Sequence, residues 1–158
     1  MDFKENQNIG TMEVLERHQF DEKALTDFME KNVQDFVGPL SIEEFKGGQS
    51  NPTYLVKTKT QSYVLRRKPP GKLLKSAHAV DREYRVITAL NNTDVPVPKT
   101  FALCEDTEVI GTAFYLMEFM DGRVLWDASM EDSNTEEALG VYSSMNNTLA
   151  KLHSVDPI

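Results

Sequence analysis

Four short elements of the chain carry residue types that together suit a phosphate-bearing ligand. The first is Gly47-Gly48-Gln49-Ser50-Asn51-Pro52-Thr53, a glycine-led turn between two strand-like runs. Glycines at 47 and 48 let the backbone approach a ligand closely or take positive φ. Ser50, Asn51 and Thr53 add donors suited to phosphate oxygens. The turn is not a Walker loop, since no Gly-Lys-Ser/Thr follows, and a Gly-Gly pair is also simply a good hairpin turn. The second stretch is Tyr63-Val64-Leu65-Arg66-Arg67-Lys68. Strand side chains alternate faces, so one of Arg66 and Arg67 can face a cleft while the other meets solvent. Arginine is permanently charged and bidentate, and can grip phosphate where lysine is usual, with altered geometry. A basic strand end is equally a solubilising device.

The third element is Glu83, beside a helical stripe of Val80, Tyr84, Ile87 and Leu90. From there it can reach back to the strand cation and fix it for phosphate binding; otherwise it is a surface partner for Arg82 or Arg85. The fourth is Tyr115-Leu116-Met117-Glu118-Phe119-Met120-Asp121-Gly122. Backbone groups at the end of such a strand can read the edge of a nucleobase while apolar side chains hold its faces. Taken alone it is a core strand ending in a turn.

Other chemistries find little support. His18, His78 and His153 have no neighbours at metal-ligand spacing, and no nucleophile–base pair has a spacing that suggests hydrolysis. The single Cys104 excludes an internal disulfide or a cysteine metal cluster; its apolar run, 101–104, makes it a buried structural thiol. Trp126 and the methionines read as packing residues. The net charge of −8 argues against general nucleic-acid binding. Yet nine of the 17 Lys and Arg lie between Lys57 and Arg85, against two acids, so a segment of about +7 sits in a remainder of about −15. That segment can face phosphates, or be a solvated strand edge and helix face. No apolar run approaches the ~18 residues of a membrane span, and neither end carries a secretory, transit or peroxisomal signal. A reducing intracellular compartment, cytoplasmic by default, is the expectation.

The elements that must position these residues follow from periodicity. Residues 1–20 are polar and aperiodic, a loose leader. Asp21 can cap a helix carrying Leu25, Phe28, Met29, Val33 and Phe36, stopped by Gly38-Pro39. Strands are expected over 40–45, 53–58 and 62–67, then a helix to about Leu90, then strands over about 100–105 and 113–119. Ser133 and Glu136 are spaced as a capping box for a last helix with Leu139, Tyr142, Met145, Leu149 and Leu152 on one face. Only the third strand-to-strand connection is expected to carry a helix. The fold class is therefore α+β: a five-stranded antiparallel sheet with a helix between strands three and four, and flanking helices.

As an ordered set, 45–54, 63–71, Asp81-Arg82-Glu83-Tyr84, Val95-Pro96-Val97-Pro98, Gly111-Thr112, 114–118 and Gly122-Arg123 resemble the small lobe of the aminoglycoside phosphotransferase/choline kinase-like family. More narrowly they resemble the kinase-like domain at the front of acyl-CoA dehydrogenase family members ten and eleven. The resemblance covers about residues 20–155. It implies a protein-kinase-like small lobe over 21–122, with 123–158 as linker and first helix of a truncated large lobe. It implies that Arg66 replaces the phosphate-gripping lysine, with Glu83 its helix partner. Gly47, Gly48, Ser50, Asn51 and Thr53 would cover the phosphates, Met117 would lie beside adenine, and Glu118 C=O with Met120 N–H would be the hinge contacts. The family moves the γ-phosphate of ATP, with magnesium, to a small-molecule hydroxyl. In the dehydrogenase-linked branch the implied acceptor is a hydroxyacyl-CoA and the implied location mitochondrial or peroxisomal.

The family's catalytic loop reads His-Gly-Asp, with an Asn and a metal-binding Asp beyond it. No His-Gly-Asp occurs in these 158 residues. Those groups supply the base and the magnesium ligands, so the chain alone is expected to bind nucleotide without measurable catalysis. The last helix is expected to expose its apolar stripe and to promote self-association. The alternative is a non-catalytic interaction module, using the basic 57–85 face for an acidic partner or CoA phosphates and the last helix for a partner helix.

Overall fold

The structure, a computed structural model, describes residues 9–47, 51–71, 78–125, 129–130 and 133–156. Its six strands are β1 (Thr11–Met12), β2 (Ser41–Phe45), β3 (Thr53–Lys57), β4 (Ser62–Arg67), β5 (Thr100–Cys104) and β6 (Phe114–Glu118). They form one antiparallel sheet in the order β1-β2-β3-β4-β6-β5. The helices are α1 (Glu22–Asn32), α2 (Val80–Leu90), α3 (Thr107–Ile110) and α4 (Thr135–His153). The chain is α+β as expected, with α2 inserted between β4 and β5, and with one strand more than the sequence suggested.

Both faces of the central strands are covered, which explains their nearly continuous apolar character. Tyr54, Val56, Tyr63, Leu65, Phe114 and Leu116 point to one face and pack with Leu25, Met29 and Val33 of α1 and its end. Phe28 meets Phe114 edge-on, with ring centroids 5.1 Å apart. The other face carries Leu55, Val64, Arg66, Tyr115 and Met117. There Ala113 and Tyr115 pack with Val80 of α2, flanked by Tyr84, Ile87 and Met117.

Asp21 caps α1 as expected, accepting from the N–H groups of Lys23 and Ala24 at 2.9 and 3.0 Å. The helix nevertheless ends at Asn32, short of Phe36. Asp35 takes φ 61, a left-handed conformation that Asp tolerates better than most residues. Phe36 still reaches the core, 6.4 Å from Tyr63, so burial kept the apolar pattern where the helix did not continue.

Part of the expected leader, from Thr11 to His18, is tied to the sheet. Thr11 and Met12 pair with Phe45 and Glu44. Thr11 Oγ1 donates to Glu43 at 2.5 Å, Leu15 N–H donates to Glu44 at 3.1 Å, and His18 Nδ1 lies 2.7 Å from Glu44. These anchors are hydrogen bonds to the neighbouring strand, which leave no apolar periodicity in the sequence. α3 was also not foreseen. It is a single turn capped by Asp106, which accepts from Glu108 N–H at 2.9 Å, and it ends at Gly111 with φ 87. At α4 the cap is Asn134, accepting from Glu137 N–H at 2.9 Å, in place of the expected Ser133–Glu136 box.

No residue of α4 is buried, and Leu139 and Met145 are 62% and 60% exposed. Core and stripe should therefore respond differently to truncation. Leu65→Ala, at a fully buried site, is expected to destabilise the fold by about 2–5 kcal/mol. Leu139→Ala should change stability by less than about 0.5 kcal/mol. Urea unfolding of the two variants checks this, and equal losses would contradict it.

Candidate functional site

Strand register decides where the two arginines of β4 go. Arg66 lies between Thr53 of β3 and Tyr115 of β6, on the α2 face. Its Nε donates to Glu83 Oε2 at 2.8 Å, and one terminal nitrogen lies 3.4 Å from Thr53 Oγ1. The pair is partly open, with side chains 29% and 37% exposed. Glu83 is held from two further sides. Tyr115 O–H donates to Oε2 at 3.2 Å, and Asn51 Nδ2 lies 3.5 Å from Oε1. Tyr115 is itself buried and meets Tyr84 edge-on at 5.9 Å. Burial first, and the Glu83 charge second, push its phenol well above the ordinary tyrosine value.

Arg67 points the other way, and the expectation that the second arginine meets solvent is corrected. It is 3% exposed. Its Nε donates to Thr112 Oγ1 at 3.0 Å, and its guanidinium lies 5.2 Å from the Phe20 ring centroid. Burial lowers its pKa from the usual arginine value; cation–π contact offsets part of that cost, and its Nη1 is buried without a hydrogen-bond partner. The alternation was legible in the sequence; that the N-terminal segment covers this face was not.

On the α2 side a cleft of about 570 Å³ opens between β2, β4 and the end of β6. Six of the sequence-expected site residues line it: Gly47, Thr53, Arg66, Met117, Glu118 and Met120. Phe45, Val64, Phe119 and Val124 add apolar wall, and Ile9 and Gly10 close one edge. Gly10 is placed there because its carbonyl accepts from Lys46 N–H at 3.1 Å, extending the β1–β2 pairing. Phe45 and Phe119 face each other with ring centroids 6.4 Å apart and an interplanar angle of 22°. Glu118 N–H is taken by Lys99 C=O at 2.8 Å and its carboxylate by Lys99 N–H at 3.1 Å. Met120 lies just past β6, with its side chain 63% exposed.

Gly48 and Ser50 lie outside the described residues. Asn51 departs from its expected role as an open phosphate donor: it is 3% exposed, and its amide is engaged by Glu83 and by His78 Nδ1 at 2.8 Å. Glu83 joins Arg66 as expected but does not line the cleft wall. Sequence reasoning did not find His78, Tyr115, Phe45 or Phe119 as site residues. Tyr115 and Phe119 share the strand parity of Met117, which is a usable signal; His78 carried none. Cys104 is buried, and burial raises its thiol pKa. Among the described residues no group of three or more His, Cys, Asp or Glu is placed to hold a metal ion. Among them, too, no helix is long and apolar enough to cross a membrane.

An antiparallel sheet whose central strand presents a cation to a carboxylate on the following helix is the build of a kinase-like small lobe. The sequence profile of the phosphotransferase enzyme family matches residues 41–158, and the chain belongs to that family. It is 49% identical over 147 residues to "Probable acyl-CoA dehydrogenase IBR3" of Arabidopsis thaliana, covering 88% of this chain and 18% of that protein. It is 41% identical over 148 residues to human acyl-CoA dehydrogenase family member 11, covering 91% of this chain and 19% of that protein. Mouse family member 10 is 43% identical over 135 residues, 82% of this chain and 13% of its own length. The likeness to members ten and eleven, read from the motifs, is borne out. A solved structure of a "putative aminoglycoside phosphotransferase" from Ralstonia eutropha superposes with a TM-score of 0.76 at 50% identity, covering 87% of this chain and 39% of that one. The chain thus spans under a fifth of the length of these curated relatives.

The buried phenols give a pH prediction. Burial pushes Tyr54 up to about 12 and Tyr115 higher still, from an ordinary value of 10.0. Above pH 10 the unfolded chain loses these protons while the folded chain keeps them, so folding stability falls as pH rises through that range. Absorbance titration at 295 nm should show Tyr54 and Tyr115 silent near pH 10, and the urea midpoint should drop above it. All five tyrosines ionising together near pH 10 in a folded chain would contradict the buried placement.

Proposed function

We propose that these residues form the ATP-binding lobe of a small-molecule phosphotransferase. The observation that carries the reading is Arg66, pinned through Nε by Glu83 with the rest of its guanidinium opening onto the cleft that Gly47, Thr53, Met117, Glu118 and Met120 line. Lining residues and chemistry suit the ligand. The cleft volume of about 570 Å³ is in the range of small-molecule sites. Val64, Met117, Phe45 and Phe119 offer apolar contact to a flat base, and Arg66 offers fixed charge to phosphates. ATP, when bound, supplies the transferable phosphoryl group. This chain's residues bind and orient: Gly47 and Thr53 toward the phosphates, Met117 beside the base, the backbone of Glu118 and Met120 at its edge. Nucleotide binding is the role proposed for these residues. The names of the relatives direct the acceptor toward an acyl-CoA-linked hydroxyl.

The rival reading, a docking module built on the basic 57–85 segment, gains nothing from the geometry. Lys57 pairs with Glu43, Arg66 with Glu83, Lys68 with Asp81, and Arg85 with Asp81 and Glu105. Lys72 and Lys75 lie outside the described residues. The uncovered stripe of α4 supports assigning 123–158 to the start of a second lobe and the isolated chain to concentration-dependent self-association. Sedimentation velocity should show association that Leu139→Lys with Met145→Lys removes; a monomer at all concentrations would contradict it.

Binding is tested by calorimetric titration with ATP and with adenosine. Arg66→Ala should weaken ATP by roughly 10- to 100-fold, the loss of charge-assisted hydrogen bonds, and leave adenosine unchanged. No nucleotide binding at millimolar concentration, or an Arg66→Ala variant that binds ATP as the parent does, would overturn the proposal.

A further inference from the structure

His78 and Asn51 stand behind the Arg66–Glu83 pair. Asn51 lies at the exit of the glycine turn, where Thr53 Oγ1 donates to its backbone carbonyl at 3.0 Å. Its buried amide is caught between a carboxylate and an imidazole, with Nδ2 3.5 Å from Glu83 Oε1 and Oδ1 2.8 Å from His78 Nδ1. An ionised carboxylate only accepts, so the amide presents its NH2 to Glu83 and its oxygen to His78. His78 Nδ1 therefore carries a proton, in the neutral and the charged ring alike. The direction of every bond in the chain is fixed: His78 donates to Asn51, Asn51 to Glu83, and Arg66 and Tyr115 donate to the same carboxylate. His78 takes φ 59 immediately before α2, and its carbonyl accepts from Val80 N–H at 2.9 Å. This residue, with its left-handed φ, thus sets both the entry to α2 and the ring that bonds Asn51.

We propose that His78 is a positioning residue of the nucleotide site, acting through Asn51 to hold Asn51 and the Glu83–Arg66 pair as one unit. Without the imidazole, the Asn51 oxygen is buried without a donor, a situation that favours rearrangement of the amide. Glu83 then loses its Asn51 partner, and Arg66 loses its fixed orientation. The inference deepens the ATP-lobe reading and rests on it, so its test has a readout that needs no nucleotide.

Two variants separate the hydrogen bond from the backbone. His78→Gly accepts the positive φ and removes the donor. His78→Asn tolerates that φ and offers an N–H near the Nδ1 position. In proton–nitrogen NMR spectra of the full chain without ligand, the Arg66 Nε–H should give a protected, resolved signal. That signal should broaden in His78→Gly and persist in His78→Asn. Titration should show ATP weakened about tenfold in His78→Gly, adenosine unaffected, and ATP affinity kept in His78→Asn. An unchanged Arg66 signal and ATP affinity in His78→Gly would overturn the proposal, as would failure of His78→Asn to rescue them. A parent chain that binds no ATP would overturn the nucleotide reading alone, since loss of the Arg66 signal in His78→Gly would still show His78 setting that side chain.

Discussion

The contact on which the site depends is the 2.8 Å hydrogen bond from Arg66 Nε to Glu83. Its contribution to stability is small, because both side chains are about a third exposed and such pairs are worth little in water. Its consequence is geometric. Holding a guanidinium by Nε leaves the terminal nitrogens available beside the cleft that Arg66 lines, one of them 3.4 Å from Thr53 Oγ1. Everything needed for that placement is supplied by ordinary packing. β4 is central in the sheet between β3 and β6, so the backbone of Arg66 is fixed on both sides. α2 is pressed onto the sheet through Val80 against Ala113 and Tyr115, which fixes Glu83. Tyr115 belongs to both sets: its ring is core, and its hydroxyl bonds the carboxylate.

The two faces of the sheet divide the work. On the α1 face Leu25, Met29, Tyr54, Leu65, Phe114 and Leu116 form the main core, and the neighbouring Arg67 is absorbed under Phe20. On the α2 face the same strands present Arg66, Tyr115 and Met117. The N-terminal segment joins the two. Tyr54 O–H donates to His18 C=O at 3.0 Å on the core side, while Ile9 and Gly10 edge the cleft on the other. Residues that look like a polar preamble are thus part of the lobe's wall.

Much of this was legible in the sequence because it follows from period and residue type. β4 spans Ser62–Arg67 and α2 ends at Leu90, both as the apolar spacing indicates, and alternation alone separates Arg66 from Arg67. The pairing of Arg66 with Glu83 followed from the family resemblance, since residue type and spacing alone left either arginine, and a surface partner for Glu83, open. The rest was hidden for physical reasons. β1 is two residues long and held by Glu43 and Glu44, and α3 is one turn; neither has room for a period. Asn51 looked like an open donor because glycine-rich turns suit phosphate, yet its amide is engaged by His78 and Glu83 across sequence separations of 27 and 32 residues. Such partnerships arise only when the helix docks.

The central claim, that the α2-side cleft is a nucleotide site oriented by Arg66, is tested most directly by mapping backbone amide shifts while ATP is titrated into the isotope-labelled chain. Saturable shifts are expected, concentrated at Gly47, Thr53, Arg66, Met117 and Met120, with Leu25 and Met29 of α1 unmoved. Shifts centred on the α1 face, or none at millimolar ATP, would contradict it.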